Sequence, residues 1–205
     1  MPTTEERLEN IYKEYVNVIC PYIVDYELLT NTFPDAILNE IRAIFTHLSK
    51  YYLSGDAKAK ERNLQKAEGH VKRTILDCYK YICVAYEDKY AEFDRRYRRV
   101  DLSLVDNGEF LSRLLEARKN AIALMKDAKK SDLRLDSDDE KSQDAAYAKY
   151  EKAFVEYSSV YELVSGSYKK LENVKKKAIF KDFFAIGGWI IGIIGLIFSL
   201  VSIFS

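Results

Sequence analysis

The sequence is poor in cysteine, histidine and proline, and residues 183–205 contain no charged side chain. The three cysteines, Cys20, Cys78 and Cys83, are odd in number and lack metal-ligand spacing, which argues against a disulfide scaffold and a zinc site. Prolines do not occur after residue 34. Because so few helix breakers are present, the composition predicts an all-α protein.

The chain has no excess of charge of either sign, with 32 basic and 32 acidic residues among 205. A general nucleic-acid coat protein would be basic overall, so this class is disfavoured. All the charges lie within 1–182, where they form a lysine-rich stretch before residue 182, an arginine cluster at 95–99 and an acidic stretch at 131–144. The zero net charge is therefore a sum over distinct regions.

The charge-free run 183–204 reads FFAIGGWIIGIIGLIFSLVSIF. As a helix it would extend roughly 33 Å, which is enough to cross a bilayer core of about 30 Å. The sequence thus predicts a C-terminal transmembrane anchor at 183–204 that follows a helical bundle at 1–182. Basic residues precede this run, so the positive-inside rule predicts a single-pass protein whose N-terminal domain is cytoplasmic. The lysines expected at the membrane surface are Lys175, Lys176, Lys177 and Lys181.

Small residues recur along one face of the uncharged run at spacings of 4, 3, 4 and 3. Such residues allow helices to approach closely in lipid, which favours self-association and a homo-oligomer. The alternative is that glycine is simply common in membrane helices. The residues are Gly188, Gly192, Gly195, Ser199 and Ser202.

Start and stop signals divide 1–182 into about five helices that form an elongated bundle. Thr3 and Glu6 have the spacing of a capping box, and Pro21 predicts a kink or break in the first helix. The expected ranges are 4–30, 34–54, 57–100, 109–130 and from 140 onward, with a mobile polar loop at 131–144. The apolar stripe of the second helix, expected to form its core face, is Ile37, Ile41, Ile44, Phe45, Leu48 and Tyr52.

An aromatic seam follows heptad spacing in the last of these helices. It could pack on the tyrosine stripe of the third helix in the same chain, or form an intermolecular coiled-coil stalk above the membrane. Aromatic side chains fit poorly into a tight dimeric coiled coil, which favours the first alternative. The seam is Tyr147, Tyr150, Phe154, Tyr157, Tyr161, Val164, Tyr168 and Leu171.

Candidate chemistry is sparse, because the chain has no glycine-rich phosphate loop, GxSxG or HExxH motif. No metal or cofactor is expected. Arg42 and His47 form one pair that could act on RNA, the imidazole exchanging protons and the guanidinium holding a phosphate. On a regular helix the two side chains lie about 140° apart, so a shared site would need a second protomer or a helix irregularity. The alternative is two solvated flank residues.

Residues 34–82 resemble the HEPN-like helical domains of prokaryotic defence and abortive-infection systems. The resemblance rests on Glu40-Ile41-Arg42 with His47, followed after a short break by the pattern from Asn63 to Lys80. It implies that Arg42 and His47 match the motif that acts on RNA at a dimer interface, and it implies a bacterial defence context with a partner protein of that system. Together with the predicted anchor, this context predicts a location at the inner membrane. Ala43 departs from the polar residue that usually follows the motif arginine.

Two further features stand out in the third helix. Gly69 next to His70 could permit close approach of another helix, while His70 itself is expected to be packed or solvent-facing. Four arginines flank Tyr97 and could bind a phosphate backbone or nucleotide, contact anionic lipid or the acidic 131–144 stretch, or simply be solvated. They are Arg95, Arg96, Arg98 and Arg99.

Two functions follow as expectations. The first is a membrane-anchored HEPN-like effector or accessory protein of bacterial antiviral defence that oligomerises at the membrane and binds or cleaves RNA. The second is a non-enzymatic tail-anchored scaffold or membrane-perturbing, pore-forming oligomer.

Overall fold

The computed structural model describes residues 2–133 and 140–180, and these residues are helical with no β-strand among them. The predicted all-α class is confirmed. The run 183–204, with its small-residue stripe from Gly188 to Ser202, lies outside the described residues. None of the helices in the described part of the chain is both long enough and apolar enough to cross a membrane.

In the ranges that the structure describes, six α-helices precede a turn at Ser167. They are α1 Thr4–Glu14, α2 Cys20–Thr30, α3 Asp35–Leu53, α4 Ala57–Tyr97, α5 Glu109–Asp132 and α6 Glu140–Gly166. A short helical stretch, 168–180, follows a turn at Ser167. The chain divides into two compact units: unit 1 comprises 1–91 and 117–161, and unit 2 comprises 92–116 and the residues from 162 onward.

The N-terminal helix pair has the predicted cap and the predicted break. The Thr3 hydroxyl accepts from the Glu6 amide at 3.2 Å, and the Thr3 amide donates to the Glu6 carboxylate at 2.6 Å. A π-helical turn, Tyr15–Ile19, separates α1 from α2 just before Pro21. Proline lacks the N–H that would continue the α-helical ladder, and widening the preceding turn accommodates its ring.

Residues with left-handed backbone conformation lie at the end of α2 and just before α5. Asn31 closes α2 with φ of 55°, and its amide donates to the Glu27 carbonyl at 2.7 Å. Before α5 the chain turns at Asp106, Asn107 and Gly108, where φ is 49°, 54° and 90°. Only glycine adopts the last of these values without strain, because it lacks a Cβ.

The core of unit 1 contains buried residues from α1 through α6, and α3 contributes one face to it. Ile37, Ile41, Ile44 and Leu48 are buried on α3, as predicted. Phe45 and Tyr52 were expected in the same stripe, but they are 55% and 59% exposed. On the helical wheel they lie about 50–70° from the centre of the buried face, and α4 covers a narrower face than the apolar pattern suggested.

The aromatic seam of α6 packs within the chain. The ring of Tyr79 on α4 lies 5.3 Å from Tyr147 and 5.8 Å from Phe154, measured between centroids. Tyr22 on α2 joins the cluster at 4.9 Å from Tyr79 and 5.1 Å from Phe154. Edge-to-face contacts of this kind add to the free energy of burial. In unit 1 the seam therefore forms intrachain core, as the favoured alternative stated.

The acidic stretch 131–144 is not one loop. Helix α5 continues through Asp132, and α6 begins at Glu140. Asp132 is held by Lys80 at 2.8 Å and by the Tyr150 hydroxyl at 3.2 Å, which keeps it within the packed helix. The loop prediction was therefore too wide, and residues 134–139 lie outside the described part.

Unit 2 has its own small core. Phe93 and Tyr97 at the end of α4 pack near Phe110, with ring centroids of Phe93 and Phe110 6.4 Å apart. Leu114 and Leu171 are also fully buried. The Ser167 amide donates to the Val164 carbonyl at 3.2 Å, which forms the turn between α6 and 168–180. This turn directly follows Gly166, the last residue of α6.

Candidate functional site

Polar side chains line one flank of the α3–α4 contact. On α3, Glu40 and His47 are separated by seven residues, which places them on the same helix face two turns apart. On α4, Asn63 and His70 have the same separation. Because both helices pack through the adjacent apolar face, the two polar pairs meet. We refer to Glu40, His47, Asn63 and His70 as the histidine cluster.

His70 is tied to Glu40. Its Nδ1 atom donates to Oε2 of Glu40 at 2.7 Å, and both side chains are largely buried. The guanidinium of Arg73 lies 3.7 Å from the other carboxylate oxygen, Oε1. The carboxylate can only accept, so this bond places the proton of His70 on Nδ1 and leaves Nε2 as the atom that can exchange a proton.

His47 is oriented in a similar way by Asn63. Nδ1 of His47 and Oδ1 of Asn63 are 3.1 Å apart. The amide group of Asn63 is itself fixed, since Nδ2 donates to the Ala59 carbonyl at 2.8 Å. Oδ1 therefore faces His47 as an acceptor, and Nε2 is again the atom left to exchange a proton.

The two imidazole rings stack on each other. Their centroids are 5.3 Å apart and their planes differ by 18°. Neither Nε2 atom has a hydrogen-bond partner in the part of the chain that the structure describes. The arrangement thus supplies two adjacent imidazoles with fixed tautomers, the groups most suited to acid–base chemistry near neutral pH.

Asp77 extends the polar flank by one further step of seven residues along α4. Burial raises the pKa of its carboxyl group above the ordinary value, and Glu40 and Asp132 act in the same direction. The positive charges of Lys80 and Arg73 oppose this effect. The flank therefore contains two acidic side chains within electrostatic reach of each other.

Arg42 and His47, the predicted catalytic pair, are not brought together within the chain. His47 lies on the α4-facing flank of α3, whereas Arg42 is exposed on the opposite flank. Among the described residues the Arg42 guanidinium has no ion pair. Ala43 is half-buried. The helix is regular here, so only a second copy could complete the pair.

The flank that carries Arg42 is unusually apolar for a surface. Leu38, Phe45 and Tyr52 recur at spacings of seven and are 51%, 55% and 59% exposed. Arg42 lies between the first two, within the same strip. We refer to these four residues as the exposed α3 strip. Contiguous exposed apolar side chains are typical of interaction surfaces.

The arginines at 95–99 differ in their partners. Arg96 is fixed in unit 2, because its guanidinium contacts Glu172 at 3.0 Å and the Tyr168 hydroxyl at 2.7 Å. Tyr97 donates to the same carboxylate at 2.5 Å. This bond lowers the pKa of Glu172, while burial, with the bond to Glu172, raises the pKa of Tyr97 to about 12.

The remaining arginines line a cleft, which we name the arginine cleft. Its volume is about 550 Å³. Arg95, Arg98 and Arg99 are exposed, and no carboxylate pairs with them in the described ranges. The structure thus joins the arginine cluster to one of the predicted membrane-surface lysines. The lining residues are Arg95, Arg96, Arg98, Arg99, Val100, Lys175, Ala178 and Ile179.

The other predicted positions are less informative. Lys176 and Lys177 are exposed, whereas Lys181 lies beyond the described residues. A Cβ added to Gly69 would meet no atom within 4 Å among the described residues, so no helix of that part of the chain makes use of the close approach that this glycine could permit. Within 2–133 and 140–180, no group of three or more metal-ligating side chains could hold a metal ion.

The sequence indicated His47 as a candidate catalytic residue, but it did not indicate which side chains contact His47. His70 was expected to be packed or solvent-facing. The contacts of Glu40 with His70 and of Asn63 with His47 were not predicted. The spacing of seven residues that the two pairs share could have predicted the cluster. That prediction would also have required the register in which α3 packs on α4.

No protein-family model, no curated protein and no solved structure matches the chain. The resemblance to HEPN-like domains therefore stays a prediction.

Proposed function

We propose that the chain is a membrane-tethered, metal-independent ribonuclease whose acid–base groups are His47 and His70. The observation that carries the proposal is the stacked imidazole pair, in which each Nδ1 is held by a fixed acceptor and each Nε2 is available. Two imidazoles, one neutral and one protonated, are sufficient for RNA cleavage without a metal.

The proposed reaction is transfer of the phosphodiester to the neighbouring 2′-hydroxyl. Nε2 of the neutral imidazole takes the 2′-hydroxyl proton as this oxygen forms a bond to phosphorus. The bond from phosphorus to the 5′-oxygen breaks, and that oxygen takes a proton from Nε2 of the imidazolium. The products are a 2′,3′-cyclic phosphate and a free 5′-hydroxyl, so protons and bonds balance.

Arg42 is proposed to act from a second copy of the chain. It lies on the exposed α3 strip with Leu38, Phe45 and Tyr52, and within its own chain it does not contact the histidine cluster. If the strip of one copy packs against the flank that carries the histidine cluster of the other, the guanidinium can hold a phosphate oxygen there in bidentate fashion. The resemblance to HEPN domains, in which the motif acts at a dimer interface, points the same way.

The tether and the biological setting rest on the sequence. The uncharged run 183–204 is proposed to span the inner membrane, with the described helices on the cytoplasmic side. The HEPN resemblance makes bacterial antiviral defence of the abortive-infection type the proposed context.

The test is RNA cleavage by the purified full chain in detergent with excess chelator. His47→Ala and His70→Ala should each lower the rate by about 10²–10⁴-fold, as expected for loss of a general acid or base. Arg42→Ala should also lower it. Arg62→Ala is the matched control, because Arg62 is likewise exposed on a helix in unit 1. Full activity in both histidine variants would exclude the proposal.

A second candidate is a non-enzymatic scaffold that oligomerises at the membrane and, in a stronger form, a pore. The exposed α3 strip favours it, because pairing through this strip needs no catalysis. Phe45→Ser with Tyr52→Ser should then abolish oligomers in detergent and biological activity, while the histidine variants stay active. Liposome leakage would distinguish a pore from a passive tether.

A further inference from the structure

The arginine cleft in unit 2 is a separate feature with its own chemistry. We propose that it binds the phosphate of an anionic phospholipid headgroup. This inference goes beyond the proposed function and uses none of the histidine cluster. A site for a lipid phosphate needs a cation-rich surface beside an apolar surface, and the cleft has both. The residues that line it also fit a lipid headgroup better than RNA or a nucleotide.

The cations are available and partly preorganised. Arg95, Arg98 and Arg99 are exposed and lack carboxylate partners among the described residues. Arg96 is held in place by Glu172 and Tyr168, which fixes one wall of the cleft. Guanidinium groups recognise phosphate oxygens in bidentate fashion, so exposed arginines beside a fixed wall suit a phosphate group.

Apolar side chains adjoin the cations on the other wall. Ile179 lines the cleft and is 58% exposed, and the next residue, Phe180, is 64% exposed. Lys175 lies one turn earlier on the same helical stretch and also lines the cleft. Basic side chains next to exposed apolar ones are typical of surfaces that contact the boundary between headgroups and acyl chains.

RNA or a nucleotide is a poorer occupant. Single-stranded nucleic acids and bases bind through stacking on exposed aromatic faces as well as through cations. The aromatic residue among the arginines, Tyr97, is 3% exposed, and its hydroxyl is engaged by Glu172. The exposed ring of Phe180 is not among the residues that line the cleft. In the sequence, moreover, the cleft residue Ile179 precedes the uncharged run 183–204 by only a few positions.

The experiment measures thermal unfolding of the full chain in a neutral detergent. Short-chain phosphatidylglycerol is titrated in, with short-chain phosphatidylcholine, inorganic phosphate and a single-stranded RNA oligonucleotide as parallel arms. A ligand that binds only the folded protein raises the melting temperature, and at a given concentration the rise is larger for higher affinity. We expect phosphatidylglycerol alone to do so. Because the lipid is supplied in micelles, the result does not depend on whether 183–204 spans a bilayer.

The variant Arg95→Gln, Arg98→Gln, Arg99→Gln removes the unpaired arginines and leaves Arg96 in place. Each charge near an anionic surface contributes a factor of about five in affinity, so the apparent affinity should fall by about 100-fold. The matched control is Lys58→Gln, Arg62→Gln, Lys66→Gln, which removes three exposed charges from the same helix in unit 1. It should bind like the unmodified chain.

Three results would overturn the proposal. The first is an equal response to phosphatidylglycerol in the triple arginine variant and the unmodified chain. The second is no response to phosphatidylglycerol at all. The third is a larger response to RNA or inorganic phosphate that the arginine variant loses, which would identify the cleft as a site for those ligands instead.

Discussion

The Nδ1 atom of His70 donates to Oε2 of Glu40 at 2.7 Å, a bond that joins α4 to α3 across 30 positions of sequence. It fixes the ring of His70, and through the stacked contact of 5.3 Å it also limits the ring of His47. Glu40 thus acts as a positioning residue for both imidazoles, although it does not itself take part in the proposed proton transfers.

Removing this acceptor should lower RNA cleavage without unfolding the chain. In Glu40→Ala the Nδ1 proton of His70 has no fixed partner, so the ring can change tautomer and orientation, and we expect a loss of about 10–100-fold. Glu40→Gln retains an acceptor oxygen and should recover part of the rate. Helical content by circular dichroism should be unchanged in both, and Glu27→Ala, at an exposed position on α2, should be fully active. Wild-type rates in Glu40→Ala would show that the bond is purely structural.

The helix boundaries were largely predictable because their signals are local. The capping box at Thr3 and the break near Pro21 depend on residues close in sequence, and both are present. The helix end expected at residue 30 and the start expected at 109 also agree with α2 and α5. Phe45 and Tyr52 were misassigned because apolarity alone does not show how wide a face the neighbouring helix covers. That width depends on the long-range packing of α3 on α4.

The candidate site was predictable only in part for the same reason. Arg42 and His47 stood out through a local motif, and their separation on the helix correctly implied that one chain cannot bring them together. Glu40, Asn63 and His70 become a cluster only when two helices pack in one register. No pattern within either helix determines that register.

Gly69 should tolerate alanine and gain stability from it. The glycine is exposed within α4, and an added Cβ would meet nothing within 4 Å in the described structure. Alanine reduces the backbone entropy lost on folding, so Gly69→Ala should raise the free energy of unfolding by about 0.5–1 kcal/mol. Urea denaturation monitored by circular dichroism would measure it. A loss of stability would instead indicate a close neighbour at this position.

Arg7 should contribute more to stability than its place in the first helix suggests. It binds Glu68 through two parallel hydrogen bonds of 2.7 and 2.8 Å, and Glu61 at 2.9 Å, with its side chain only 18% exposed. A partly buried bidentate pair is stronger than an exposed one, so Arg7→Ala should cost about 1–2 kcal/mol.

The exposed pair of Lys13 and Glu9 provides the comparison for Arg7. Its members are 62% and 60% exposed, so Lys13→Ala should change the free energy of unfolding by less than about 0.5 kcal/mol. Arg7→Lys restores the charge but not the two parallel bonds, and it should recover only part of the loss. Equal costs for Arg7→Ala and Lys13→Ala would contradict the structural assignment.

The buried tyrosines should make the fold sensitive to alkali, and Tyr157 allows this to be tested at one position. Burial, aided by Glu87 and Cys83 and opposed by Arg118, raises the pKa of Tyr157 from 10.0 to about 12. Between these values the unfolded chain releases the phenolic proton while the folded chain keeps it. The unfolded state therefore binds fewer protons, and the free energy of unfolding must fall as the pH rises from 10 to about 12.

Tyr157→Phe removes this contribution and keeps the buried ring. Below pH 10 the stability of the variant and of the unmodified chain should depend on pH in the same way. Between pH 10 and 12 the stability of the variant should decline less steeply than that of the unmodified chain. One proton accounts for at most about 1.4 kcal/mol per pH unit. Urea titrations at fixed pH values would give the slopes, with Tyr81→Phe as control, because the phenol of Tyr81 is exposed and meets solvent in both states. Identical slopes in Tyr157→Phe and the unmodified chain would show that the Tyr157 hydroxyl reaches solvent in the folded protein.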